Sequence, residues 1–358
     1  MTALLLFPLL FVLFLVFAEL KTLYINYFQA SKISKLVYII KNTSNLVHET
    51  QIERGMSSGF LGSNGTLYRD ELKSQRKKSD EAFLIFKSSL DSLVLENYSA
   101  DLKASSEKVI NIFNNLSSVR SMVDSFALTA PETVGFYNKM NDETLKLIEP
   151  ISFLAPNNEI FNSIKAYLLF LFSKERTGIE RATLNNAFSS NKFNPGMFLI
   201  FSSLMTEQEL FMKEFVFYSS KENVDYVNNK LEGNAIVEVN RMRKIAIDNY
   251  DIGNFNINPK YWFSTITEKI NIMKEIEDYL LLDLIQKVES HKKNSIQVFI
   301  IESVIFLIVT ILTLTLGLIV VSGITKSVQE VSDESHYLSS GDLTVVLDTS
   351  NNDELGKM

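Results

Sequence analysis

The chain has 358 residues, 46% hydrophobic and 22% charged, so it is neither disordered nor a polytopic membrane protein, with room for about two or three domains. Its net charge of −7, without a run of Lys or Arg, argues against nucleic acid as a partner. It has no cysteine, which excludes disulfides, thiolate catalysis and Cys-zinc sites. With 6 prolines and 13 glycines, breakers are scarce and the elements should be long helices.

Residues 2–18 carry no charge and are just long enough to cross a bilayer core. A cleaved signal peptide is the weaker reading, because no basic segment precedes the run and no A-x-A site stands before Glu19. The helix is expected to continue to about Ser58. Leu36, Ile40, Thr43, Val47, Thr50 and Arg54 recur at helical spacing, so an arginine closes an apolar stripe. Gly55, Ser57, Ser58 and Gly59 follow, small enough for a backbone or ligand to come close. Residues 62–65, Gly-Ser-Asn-Gly, end the helix.

Further helices are expected over about 68–97 and 100–127. Thr129 caps a fourth, with Pro131 in its first turn and Glu132 behind it, ending near 148–150. Pro156 opens the fifth, which carries a continuous apolar run over 167–172 and then Lys174, Glu175, Arg176, Glu180 and Arg181. Leu169, Phe172, Arg176, Ile179 and Thr183 share a face by spacing, so Arg176 also extends an apolar stripe. Asn194-Pro195 and Asn258-Pro259 read as an N-cap with Pro at the first helical position, starting the sixth and eighth helices. A seventh spans about 221–250. The expected fold is all-α: eight antiparallel helices in two stacked four-helix bundles outside the membrane.

The last helix should run into a second uncharged stretch over 303–325, a transmembrane helix, with Glu302 at its outer edge and Lys326 after it. The expected division is a first transmembrane helix at 1–20, a sensor domain at 21–299, a second transmembrane helix at 300–323 and a partial linker at 324–358. Beyond the membrane, Ile324, Val328, Val331, Ser335 and Leu338 form a coiled-coil seam. Gly341-Asp342-Leu343 breaks it, Val345 and Leu347 alternate along a connector, and Asp353-Glu354-Leu355-Gly356 looks like a new helix start.

This last piece resembles a HAMP linker, with Ser327 where a proline is often found. The external part resembles the nitrate- and nitrite-sensing (NIT) domain of bacterial receptors. The resemblance rests on residues 46–49 and 53–62, on residues 174–182, and on Tyr261-Trp262-Phe263 through Thr267. It implies paired four-helix bundles, with the anion held by arginines of the first and fifth helices. Some relatives carry a second arginine where this chain has Glu53, and a later basic position matches Lys269.

Arginine suits a small planar monoanion, because its rigid fork meets two oxygens at once. Two guanidiniums face to face would repel by up to ~4 kcal/mol at an effective dielectric near 20, and a bound anion relieves that repulsion. The competing reading is structural. Three Glu-Arg pairs occur (53–54, 175–176 and 180–181), and each arginine could meet a glutamate of another helix. Periodicity alone favours those ion pairs. The resemblance moves Arg54 and Arg176 to ligand binding, with Gly55, Ser57, Ser58, Arg181 and Lys269 as candidates for the surrounding shell. Arg181, beside Glu180, otherwise reads as structural.

His48, His291 and His336 are scattered and make no metal pattern, Trp262 reads as packing, and no catalytic triad or phosphate loop is present. Neither a catalytic residue nor a cofactor is expected. The expected role is the input half of a receptor in the bacterial inner membrane, with its sensor domain periplasmic or extracellular. It would bind nitrate or nitrite, act as a homodimer, and signal to cytoplasmic partners through an output domain beyond residue 358. A methyl-accepting chemotaxis domain is the first expectation, and a histidine kinase or cyclic-dinucleotide enzyme the next. The alternative of a different class is a non-sensory helical stalk.

Overall fold

The structure, a computed structural model, describes residues 2–341 and Thr344; of the HAMP-like features, Asp342, Leu343, the connector and residues 353–356 lie outside them. Every regular element among the described residues is helical. The chain divides into two compact units, Gln29–His291 and the paired termini Met1–Phe28 with Lys292–Met358.

In the larger unit, the stripe on α1 (Thr2–Gly62) faces inward from Leu36 to Arg54. Its polar members are compatible with burial because Thr43 and Thr50 donate to the carbonyls of Ile39 and Leu46, at 2.7 and 2.9 Å. The helix ends where expected. Asn64 and Gly65 take positive φ, and the Gly65 N–H returns 2.9 Å to the Phe60 carbonyl.

α2 (Arg69–Asp91) and a 3-10 turn (Leu95–Asn97) occupy the second expected helix. The third is interrupted at Asn115, giving α3 (Ala100–Asn114) and α4 (Leu116–Asp124). The Asn115 side-chain amide bonds the Asn111 carbonyl at 3.1 Å, the local competition with the backbone that asparagine brings to a helix interior. α5 (Ala130–Lys146) starts with a full capping box between Thr129 and Glu132, and the short α6 (Ile148–Ser152) continues it.

α7 (Asn158–Ser189) is capped by Asn157, two residues inside the expected start. α8 (Met197–Tyr218) departs from expectation at its start. Asn194 and Pro195 build a turn in which the Met197 N–H bonds the Asn194 carbonyl at 3.0 Å, and Gly196 takes φ 77. Pro followed by Gly at the two central positions suits a type II turn, so the cap expected at Asn194 becomes a turn. The seventh helix breaks over 231–233 into α9 (Lys221–Lys230) and α10 (Asn234–Asp248). α11 (Pro259–Ser339) starts as expected, with the Asn258 carboxamide accepting from the Lys260 N–H at 2.9 Å.

Three apolar clusters hold this unit together. The largest draws on both halves of the chain, joining Leu36 and Phe86 to Phe170, Phe215 and Ile276. A second packs Phe188, Phe201, Met242 and Trp262 from α7, α8, α10 and α11. The third joins Phe60 and Leu61 to Leu72 and Val123 at the end of α1. Polar groups occupy the stretch of α7 that follows its apolar run, and that stretch carries the candidate site.

The terminal unit contains parts of α1 and α11 that are long and apolar enough to cross a membrane, by length and composition. Their large side chains, Phe11, Phe14 and Phe17 on one and Leu307, Leu312 and Leu316 on the other, are exposed. Tyr24 and Phe28 stack at 6.3 Å, and Tyr27 lies 6.0 Å from Phe299.

Candidate functional site

The polar half of α7 turns a different face inward from the one its sequence suggests. Ser173, Thr177, Glu180 and Leu184 are buried, whereas Phe172, Arg176, Ile179 and Thr183 form a half-buried flank. Consecutive residues on a helix point about 100° apart, so a phase error of one residue redistributes every charge on it.

Arg54 is inward and 4% exposed. Its Nη1 donates to the Glu175 carboxylate and, at 2.6 Å, to the Asn138 carboxamide, while Nη2 lies 3.3 Å from the other Glu175 oxygen. Gln51 donates to Glu175 at 2.5 Å. A fully buried carboxylate therefore lies against Arg54, joining α1 to α7.

Arg181 is the second guanidinium at this crossing. Its Nη1 donates to the Thr267 hydroxyl at 3.1 Å and its plane sits 4.9 Å from the centre of the Phe263 ring. No carboxylate among the described residues lies within ion-pair distance of it. Burial, and then the positive charge of Arg54, pushes its pKa down to about 10. The Trp262 indole N–H bonds the Arg181 carbonyl at 3.0 Å, tying α7 to α11 at this level.

Two glycines let the arginines cross. A Cβ on Gly178 would stand 2.9 Å from Arg54 Nη2, and one on Gly55 would stand 3.5 Å from Arg181 Nη2. Each guanidinium thus lies over a glycine of the opposite helix. Arg54, Arg181 and Glu175 together carry a net charge of +1, beside the neutral Asn138, Gln51 and Thr267.

Arg176 does not stand opposite Arg54. It donates to Glu207 and, at 3.1 Å, to Asp142, and lies over the rings of Phe172 and Phe211. The half-buried flank of α7 sends it to α5 and α8. Glu180, the neighbour of Arg181, meets an arginine of another helix. Glu180 is fully buried and receives Arg243 at 2.6 and 2.5 Å and Gln208 at 2.9 Å.

Lys269 is buried near Arg243 and Glu180. Burial pushes its pKa down to about 8, with Arg243 adding to the effect. Ser57 is buried and Ser58 half-buried. Glu53 is fully buried and held by Arg120 at 2.7 and 2.9 Å and by the Tyr137 hydroxyl at 2.7 Å. Burial opposes its ionisation, but the Arg120 and Tyr137 bonds outweigh that and lower its pKa.

Sequence reasoning missed Glu175 as the partner of Arg54, along with Asn138, Arg243 and Glu277, which takes Lys174 at 2.5 Å. The spacing of Gln51, Arg54 and Ser58 on one helix face and Lys174, Thr177 and Arg181 on another, with the Glu-Arg pairs, hinted at a polar crossing.

A family described as "Nitrate and nitrite sensing" matches residues 45–285. The nitrate regulatory protein of Klebsiella oxytoca is 21% identical over 247 residues, which is 69% of this chain. The chain spans 62% of the length of that relative. Among solved structures, that of the NasR transcription antiterminator superposes with a TM-score of 0.70 at 18% identity. The match covers 90% of this chain and 88% of the other, so the two share a fold.

Proposed function

The chain belongs to the nitrate- and nitrite-sensing family, and from that premise we propose that its larger unit binds nitrate or nitrite between Arg54 and Arg181. The observation that carries the choice of residues is the absence of a carboxylate partner for Arg181, among the described residues, where the charge of Arg54 acts on it. With Glu175 counted, one buried positive charge stays uncompensated at the crossing, and a planar monoanion between two guanidinium edges neutralises it. Ion pairing accounts fully for Arg176, which has two carboxylates, so it is left out of the pair. Gly55 and Gly178 are the positions where the two guanidiniums lie against the backbone of the opposite helix. Thr267 and Phe263 orient Arg181, while Lys269 belongs to the neighbouring Glu180 cluster.

We further propose that the chain is the input part of a membrane receptor. The uncharged stretches 2–18 of α1 and 303–325 of α11 support two membrane passages, with Tyr24, Tyr27 and Phe299 as interfacial aromatics. In this reading residues 21–299 lie outside and 324–358 form a cytoplasmic HAMP-like linker in a homodimer. Anion binding draws α1 and α7 together, and α11, tied to α7 through Trp262, transmits the shift. The output is a signalling domain of the chemotaxis-receptor type. No residue of the site is arranged for catalysis.

The test is calorimetry on the full chain in detergent with nitrate, nitrite, chloride and sulfate. Binding of nitrate or nitrite is expected, lost in Arg54→Ala and Arg181→Ala and kept in Arg176→Ala. Absence of heat with both ions overturns the ligand assignment, and loss only in Arg176→Ala overturns the choice of residues.

A further inference from the structure

We propose that Glu175 sets the charge of the anion the site accepts, holding the Arg54–Arg181 pair at a net charge of +1 so that monoanions are selected over dianions. The inference rests on the reading of that pair as the anion site and adds its selectivity.

Glu175 is 0% exposed, and both of its oxygens are occupied, one by Arg54 and the other by Gln51 with the second Arg54 nitrogen. Its neighbour Lys174 points away to Glu277, whose other oxygen takes Lys274 at 2.9 Å, so Lys174 does not cancel the Glu175 charge. The other buried carboxylates near this level of the bundle are satisfied elsewhere, Glu53 by Arg120 and Glu180 by Arg243.

The crossing therefore contains two cations and one anion, and its other hydrogen-bonding partners, Asn138, Gln51 and Thr267, are neutral. One further negative charge neutralises it. A second would be buried without a partner, the situation proteins avoid most strongly. Nitrate and sulfate differ in shape as well as charge, but only the charge difference is altered by an isosteric change at Glu175.

Glu175→Gln keeps the side-chain length and an acceptor for Arg54 while raising the crossing to +2. In the full chain in detergent, at constant ionic strength, wild type is expected to bind nitrate and to discriminate against sulfate. Glu175→Gln should bind sulfate at least about tenfold more tightly than wild type does, lowering the nitrate-to-sulfate preference. Glu277→Gln, the same charge change in another buried ion pair, should leave the preference as it is.

An unchanged preference in Glu175→Gln overturns the inference, as does an equal fall in Glu277→Gln. If Glu175→Gln does not fold without ligand, its melting temperature in rising nitrate or sulfate gives the same answer. Preferential stabilisation by sulfate, relative to wild type, supports the inference, and an unaltered ranking overturns it. Wild type that binds neither nitrate nor nitrite instead overturns the underlying site reading, so the two failures are distinguishable.

Discussion

Arg54 Nη2 occupies the space a side chain at Gly178 would need, 2.9 Å from where its Cβ would stand. The position of the Arg54 guanidinium against α7 thus depends on a missing methyl group as much as on charge. The atom in the way is the end of a flexible side chain, so an added methyl moves the guanidinium and leaves the backbone in place.

Gly178→Ala should consequently separate stability from binding. Alanine gains up to about 1 kcal/mol of helix propensity over glycine, so the melting temperature should hold or rise. Nitrate binding should weaken by about tenfold or more, since a displacement of this size misplaces a bidentate donor. Calorimetry and thermal melts on one preparation check both halves.

Breaking the Glu180–Arg243 pair should cost far more than breaking Arg176 from its partners. Glu180 has no exposed surface, and Glu180→Ala leaves a mostly buried guanidinium without its carboxylate, a loss of about 3–5 kcal/mol. Glu207 is 38% exposed, so the Arg176–Glu207 bridge contributes about 1 kcal/mol or less. Denaturant or thermal unfolding of Glu180→Ala and Glu207→Ala should show that ranking.

Lys269 predicts a rise of stability with pH. Its folded pKa lies at about 8, below the ordinary 10.5, so between those values the unfolded chain holds a proton that the folded chain has released. Stability contributed by this group should therefore increase from about pH 8 towards 10.5, by at most about 1.4 kcal/mol per pH unit. Lys269→Met should be more stable than wild type at pH 7 and should flatten the rise, measured as melting temperature between pH 7 and 9.5.

Glu53→Arg should not be tolerated here. Glu53 is the carboxylate that Arg120 grips with two nitrogens, and Arg76 lies 3.9 Å from it. A third guanidinium at that spot leaves like charges buried together, and a loss of about 3–5 kcal/mol is expected. Adding Arg120→Glu should recover part of the melting temperature.

Much of this was legible in one dimension. Thr129 and Asn258 act as caps because capping needs only residues within one turn, and the α1 stripe faces inward because its six positions repeat the same period. The α7 stripe was misread because its polar half alternates charges with apolar residues on two adjacent faces. Periodicity chooses poorly between faces 100° apart.

The sequence by itself determined a helical chain with apolar ends and an inward arginine at position 54, since helix period, caps and charge-free runs are local properties. Only the tertiary structure decided that Arg54 meets Glu175, that Arg176 goes to Asp142 and Glu207, and that Arg181 has no carboxylate partner among the described residues. Those choices depend on the rotation and axial register of one helix against another, which are set by the summed packing of residues far apart in the chain.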